Sequence, residues 1–345
     1  MNFTSTLIEK IWDTVVDKGI SALLRPWQMK RENKARLECL KNEKLETIKI
    51  EHEAKQLQIS LDKDQFTNAE IVPQIEQIAS DVVNTKLHDI IREEVSVMKT
   101  VEYAAEYVET KNLKDEKPSE KPTDDWLNKW KKKTQEFTDE DALKLWGRVL
   151  AGEFTSPGRY SYKFLDWMSN ITPKDALLIS KLMENVISDF YYRGENMDKN
   201  MPLTYDDLLI LQELDVLQGV ESMGLNITYK SYRTDFFQKV LLSSNNKKML
   251  LIKHSNMSRE LKINGVCSLT RIGKEVRQLC EVNTNCDMIQ KVGEHIIKQG
   301  FDVYWADVIS IEKGNISHSP LVKINIAGVE NASNIAHNNH EEILL

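Results

Sequence analysis

The residues best suited to chemistry lie close together between Thr138 and Met168, in the stretch TDEDALKLWGRVLAGEFTSPGRYSYKFLDWM. Arg148, Glu153, Arg159, Tyr160 and Tyr162 supply one acid, two cations and two phenols. Hydrolysis or group transfer would also need a nucleophile, a base that titrates near neutrality or a set of metal ligands. No His or Cys occurs from residue 89 to residue 253. Glu and Arg without such companions more often form ion pairs than active sites. The same residues suit a tight helical turn. Gly152 and the Pro157-Gly158 pair break a helix there, and Arg148, Glu153 and Ser161 are placed to bond the backbone groups left free at its ends. Arg148, Glu153, Pro157 and Gly158 are therefore read as a structural turn, and no catalytic residue is assigned.

Other chemistries find less support. Cys39, Cys267, Cys280 and Cys286 are scattered, and Cys280, Cys286 and His295 lack both the close Cys spacing and the second ligand pair of a zinc site. No Gly-rich phosphate loop, H-E-x-x-H helix or G-x-S-x-G elbow is present. No metal or cofactor is expected. With no export signal and no apolar run near the ~18 residues of a membrane span, the thiols are expected to be reduced and the chain cytoplasmic. Peripheral contact with the inner membrane is the alternative location.

Charge is unevenly distributed around a net value of −7. Glu51 to Glu109 holds thirteen acidic and five basic residues, whereas Asn226 to Cys280 holds eleven basic and three acidic. The basic segment suits an anionic partner or docking against the acidic one, and equally a solvated lysine-rich surface. Lys247, Lys248, Lys253, Arg271 and Lys274 are its candidate contacts to nucleic acid or a protein partner.

The elements that would carry these residues follow from periodicity. Apolar residues from Phe3 to Trp27 recur at steps of three and four, and a basic flank follows from Arg25 to Arg36. Trp12, Val16, Leu23 and Trp27 on that face would be buried in a helix bundle, mediate self-association or lie against anionic lipid, and acids on the polar face favour burial or self-association over lipid. Long helices are expected over 28–60 and 69–110, giving a region 1–110 that favours oligomers, then a Pro- and Lys-rich linker at 111–122. A central helical domain spans 123–200. In it, Trp126 and Trp130 stand one turn apart beside Lys129 and Lys131–Lys133, which suits a helix end with buried rings better than a platform for stacked bases. Thr138, Thr172 and Thr204, each three residues before an Asp, mark three helix starts. Residues 201–282 read as helix, β-hairpin around Asn-Asn-Lys-Lys and terminal helix, similar to a winged helix; 283–328 read as a helix plus β-hairpin, and 329–345 as a disordered tail. The expected class is mainly α with an α+β C-terminal part.

The stretch LWGRVLAGEFTSPGRYSYKFLDWMSNITPKDA also resembles the signature of a bacterial family of unknown function. Leu145, Trp146, Leu150, Ala151, Gly152, Glu153, Pro157, Gly158, Ser161, Asp175 and Ala176 fit its pattern, and RPWQMKR at Arg25–Arg31 resembles a second element. Gly147, where the family commonly has alanine, and Phe164, where it commonly has threonine, depart from it. The glycine is expected to weaken its helix by ~1 kcal/mol. The resemblance implies fold and bacterial origin and supplies no activity; similar helical families occur among mobile-element and phage-defence genes. The functional expectation is a non-enzymatic interaction or regulatory protein that forms a homo-oligomer and binds a protein partner. Nucleic-acid binding through the basic module is the alternative, and a membrane-associated effector is the second.

Overall fold

A computed structural model describes residues 3–17, 71–114, 116, 119–194, 201–221, 224–312, 314–325 and 343–344, and the chain divides into two units, Met1–Ser169 and Asn170–Leu345. In the first unit the helices are α1 (Phe3–Asp17), α2 (Ile71–Thr110), α3 (Asp124–Gln135), α4 (Glu140–Thr155) and α5 (Tyr162–Met168). Their apolar stripes meet in one core: Leu7, Ile11 and Val15 from α1, Val97, Val101 and Val108 from α2, Leu127 and Trp130 from α3, and Trp146, Leu150 and Phe154 from α4 are all at most 2% exposed. Helix α1 packs on α2 and α4. The indoles of α3 turn inward, Trp126 Nε1–H donating to Tyr160 O at 2.8 Å and Trp130 Nε1–H to Trp146 O at 3.2 Å. The lysines beside them find acids, Lys129 with Asp166 at 2.5 Å and Lys131 with Glu94 at 3.1 Å. This is a helix end with buried rings.

Local start signals hold at two of three positions. Thr172 and Thr204 form complete capping boxes with Asp175 and Asp207, at the starts of α6 (Pro173–Met183) and α7 (Tyr205–Glu213). Helix α4 instead takes Asp139 as its cap, because that carboxylate reaches the Ala142 N–H at 3.0 Å. Gly147 also needs a different reading. A Cβ there would stand 3.0 Å from Ala104 N, Thr100 O and Tyr103 Cβ, so the missing side chain is what lets the backbone of α2 approach α4. The ~1 kcal/mol that alanine would add to helix propensity is offset by about 1–3 kcal/mol of overpacking. Phe164 is fully buried, stacked on Tyr160 at 5.1 Å and Trp167 at 5.7 Å, so the core accommodates its bulk.

The second unit makes the fold mixed α/β rather than mainly α: with two antiparallel sheets beside nine helices among the described residues, the mainly α expectation is corrected. It contains α6, α7, α8 (Arg271–Arg277) and α9 (Cys286–Ile297). One sheet contains β1 (Val186–Ile187), β2 (Phe190–Tyr192), β3 (Leu217–Gln218), β4 (Leu225–Tyr229) and β7 (Leu261–Leu269), with β7 flanked by β2 on one side and by β3 and β4 on the other. The other runs β11-β9-β8-β6-β5, made of β5 (Phe237–Leu242), β6 (Lys248–His254), β8 (Asp302–Glu312), β9 (Asn315–His318) and β11 (Ile343–Leu344), and β10 (Val322–Lys323) also pairs with β8.

The β5–β6 hairpin forms around its Asn-Asn-Lys-Lys turn as expected, but it is no free wing. Strand β6 pairs along its other edge with β8, from Lys248↔Asp307 to Lys253↔Asp302. The winged-helix resemblance is therefore not confirmed, since a wing needs an open edge. That pairing also joins strands on either side of the 282/283 boundary, and the unit boundary at Ser169/Asn170 falls inside 123–200. In the tail, Ile343 and Leu344 are ordered as β11 on β9, while 326–342 lie outside the described residues.

Candidate binding surface

Glu153 lies in the last turn of α4, beside the loop that follows it. Its side chain is 2% exposed and bends around the loop after α4, where Oε1 accepts the Gly158 N–H at 2.6 Å and Oε2 the Tyr160 N–H at 2.9 Å. Gly158 adopts φ +85°, and a Cβ on Gly152 would lie 2.8 Å from the Tyr160 ring. Ser161 then caps α5 by accepting the Phe164 N–H at 3.2 Å. Arg148 packs over the Tyr107 ring of α2 at 5.5 Å. Both carboxylate oxygens of Glu153 are thus committed to backbone donors, as a structural turn requires.

Burial pushes the Glu153 carboxyl above its ordinary value, with the two N–H donors and Arg159 opposing. A raised pKa in the folded state gives stability that is present below the unfolded value and is lost as pH rises through the folded one. Glu153→Gln is expected to cost about 1–3 kcal/mol, because one backbone donor would face an amide NH₂. The stability difference between wild type and variant should shrink from acid to neutral pH. Chemical denaturation at a series of pH values measures both; a stable glutamine variant with no pH trend would contradict the assignment.

The lysines and arginines singled out by sequence are not brought together. Lys248 Nζ pairs with Asp307 at 2.6 Å and lies over the Trp305 ring at 4.7 Å. Lys274 pairs with Asp189 at 2.9 Å, and Arg271 with the buried Glu275 at 3.0 Å. Lys253 lies opposite Asp302 in the β6–β8 register, and Lys247 is exposed at the hairpin turn. Two acids that answer this segment, Asp189 and Asp307, lie outside the window 226–280 and within the same unit. Trp12, expected on a face that is buried, self-associating or set against lipid, is 3% exposed inside the helical core. Val16 lies on the same helix; Leu23 and Trp27 are outside the described residues. No helix among the described residues is long and apolar enough to cross a membrane, and no group of three or more His, Cys, Asp or Glu is placed to hold a metal ion.

A different cationic cluster forms at the opposite end of the hairpin, where Phe237 pairs with His254. Loop 230–236, which leads from β4 into β5, and loop 255–260, which leads from β6 into β7, border a cleft of about 350 Å³. Its lining includes Lys230, Arg233, Arg259 and the single carboxylate of Glu260. Arg233 stacks on Phe236 at 4.4 Å and is held by both oxygens of Asp235 at 2.9 Å. That guanidinium holds the Asp235 carboxyl down at about 2. Arg259 lies over Phe301 at 5.4 Å and donates through Nη2 to Gln299 O. Below the rim, Lys239 sits 3.6 Å from the Tyr232 ring centre and 4.9 Å from that of Tyr229. Burial lowers its pKa and raises that of Tyr229 to about 12.

Sequence reasoning missed Lys230, Tyr232, Arg233, Lys239 and Arg259. A signal was present in YKSYRTDFF at Tyr229–Phe237, where cations alternate with rings.

The family model for proteins of unknown function, DUF2806, matches residues 88–292. That is more than half of the chain. The chain belongs to the DUF2806 family. The match runs from within α2 to within α9 and so includes the Glu153 turn and both loops of the cleft. No curated protein and no solved structure matches the chain. DUF2806 membership thus agrees with the resemblance carried by the LWGRVLAGE stretch and supplies no activity.

Proposed function

We propose that the protein acts by binding, as an interaction or regulatory protein whose β-rich unit recognises an anionic partner at the cleft between loops 230–236 and 255–260. One observation carries this reading: two guanidiniums, each fixed on an aromatic ring, flank one concavity with Lys230 beside them. Arginine's planar fork suits carboxylate and phosphate; the fork of Arg233 already holds Asp235, so the cations offered to the partner are Lys230 and Arg259, and Arg259, fixed by Gln299 O, loses less freedom when it binds. The helical unit acts as support, and its most distinctive polar residue, Glu153, is occupied in closing a turn.

The test is retention of the intact chain on an immobilised polyanion with elution by salt. Reversing charge at Lys230 and Arg259 together should weaken retention about tenfold or more, because both sit on the cleft and each lost phosphate-type contact removes a released counterion. Reversal at Lys247 and Lys274 should leave retention nearly unchanged. If the second pair has the larger effect, or if the wild-type chain is not retained at low salt, the reading fails.

A further inference from the structure

We infer that the anionic partner of this cleft is single-stranded nucleic acid, with phosphates at Lys230 and Arg259 and a base on Tyr232. This rests on the reading above and names its ligand class. Three features support it. The loops are built in advance: Ser231 Oγ accepts the N–H groups of Arg233 and Gln238, each at 3.0 Å, and donates to Phe236 O at 2.9 Å. Across the cleft, Asn256 Oδ1 accepts the Ser258 N–H at 2.9 Å, and Gln299 ties Lys262 through N–H and C=O contacts while its own carbonyl holds Arg259. Cations thus stand on ordered loops, with Lys230 making no ion pair among the described residues.

The second feature is apolar. Tyr232 is 51% exposed and Met257 40% exposed, both next to cations and both on polar loops. Lys239 covers one face of the Tyr232 ring; an acidic peptide would use the cations and make no use of the exposed remainder, whereas an unstacked base offers a π-face to it. The third is shape. A concavity of about 350 Å³ admits a nucleotide-sized group, and the exposed Tyr232 ring stands on the loop that borders it; the bases of a duplex are already stacked on one another and offer that ring no free face. On the two loops and the strand ends beside them, Lys230, Arg233, Lys239, Arg259 and Lys262 stand against Asp235 and Glu260, so the approach to the cleft is electropositive.

The experiment titrates full-length protein with a fluorescent thymidine 20-mer, the matching RNA, a 20-base-pair duplex and polyglutamate, each over a range of salt. Single strands are expected to bind more tightly than duplex, with a steep salt slope that falls by about 0.7 for Lys230→Ala and again for Arg259→Ala. Tyr232→Ser should lose roughly tenfold in affinity and Tyr232→Phe should keep it, since stacking needs the ring and not the hydroxyl. Duplex binding equal to single-strand binding, or indifference to Tyr232→Ser, would overturn the inference. Binding of polyglutamate without nucleic acid would also overturn it while leaving the anionic-partner reading intact; binding of none of the four would end both.

Discussion

Replacing Trp146 with alanine is expected to destabilise the helical unit by about 3–5 kcal/mol, the usual cost of emptying a core site of a large aromatic. Trp146 is 2% exposed on α4 and lies against Phe137 with ring centres 6.0 Å apart. Its carbonyl accepts the Trp130 indole N–H, so the α4 backbone at this position also satisfies a buried donor from α3. Thermal or urea unfolding of the intact chain gives the number. Partner binding should be lost only to the extent that the protein unfolds, because Trp146 and the cleft lie in different units. A well-folded Trp146→Ala chain that fails to bind would place recognition on the helices and contradict the division of roles.

The second large effect is expected from the smallest change in volume. Gly273 lies in the first turn of α8, where its N–H donates to the capping Thr270 Oγ1 at 3.0 Å. A Cβ at this position would stand 2.3 Å from Val216 O, closer than real Cβ atoms come. That carbonyl cannot easily withdraw, since it already accepts the Thr270 N–H at 3.0 Å. Gly273→Ala is therefore expected to cost about 3 kcal/mol, at the upper end of overpacking, although alanine in an unobstructed helix would add ~1 kcal/mol. Denaturant unfolding decides; a neutral or stabilising alanine would show that α8 and the chain before β3 can separate at little cost.

Much of the helical architecture was legible because its signals are local. A threonine three residues before an aspartate bonds within one turn, so Thr172 and Thr204 announce their helices, and Trp126 and Trp130 announce a buried face by spacing alone. The β5–β6 hairpin was legible for the same reason. What escaped was set by partners distant in sequence. Strand β8 pairs with β6 from Lys248↔Asp307 to Lys253↔Asp302, far apart in the chain, which turns an apparent wing into an interior strand. Asp189 and Asp307 lie outside the basic window, yet they neutralise lysines within it. Gly147 could be read only as a weak helix former until α2 was seen against it. The cleft was written in Tyr229–Phe237, but its second wall, from Met257 to Glu260, comes from the far end of β6, and no periodicity joins the two.

The most direct measurement is hydrogen–deuterium exchange of the full-length chain with and without a saturating polyanion. Protection is expected to rise at residues 229–236 and 254–260, the two walls of the cleft, while the hairpin turn at Ser243–Lys248 and the Glu153 loop remain unchanged. Protection confined to Ser243–Lys248 and α8, with none at the cleft, would contradict the central claim and return recognition to the lysines first suggested by the sequence.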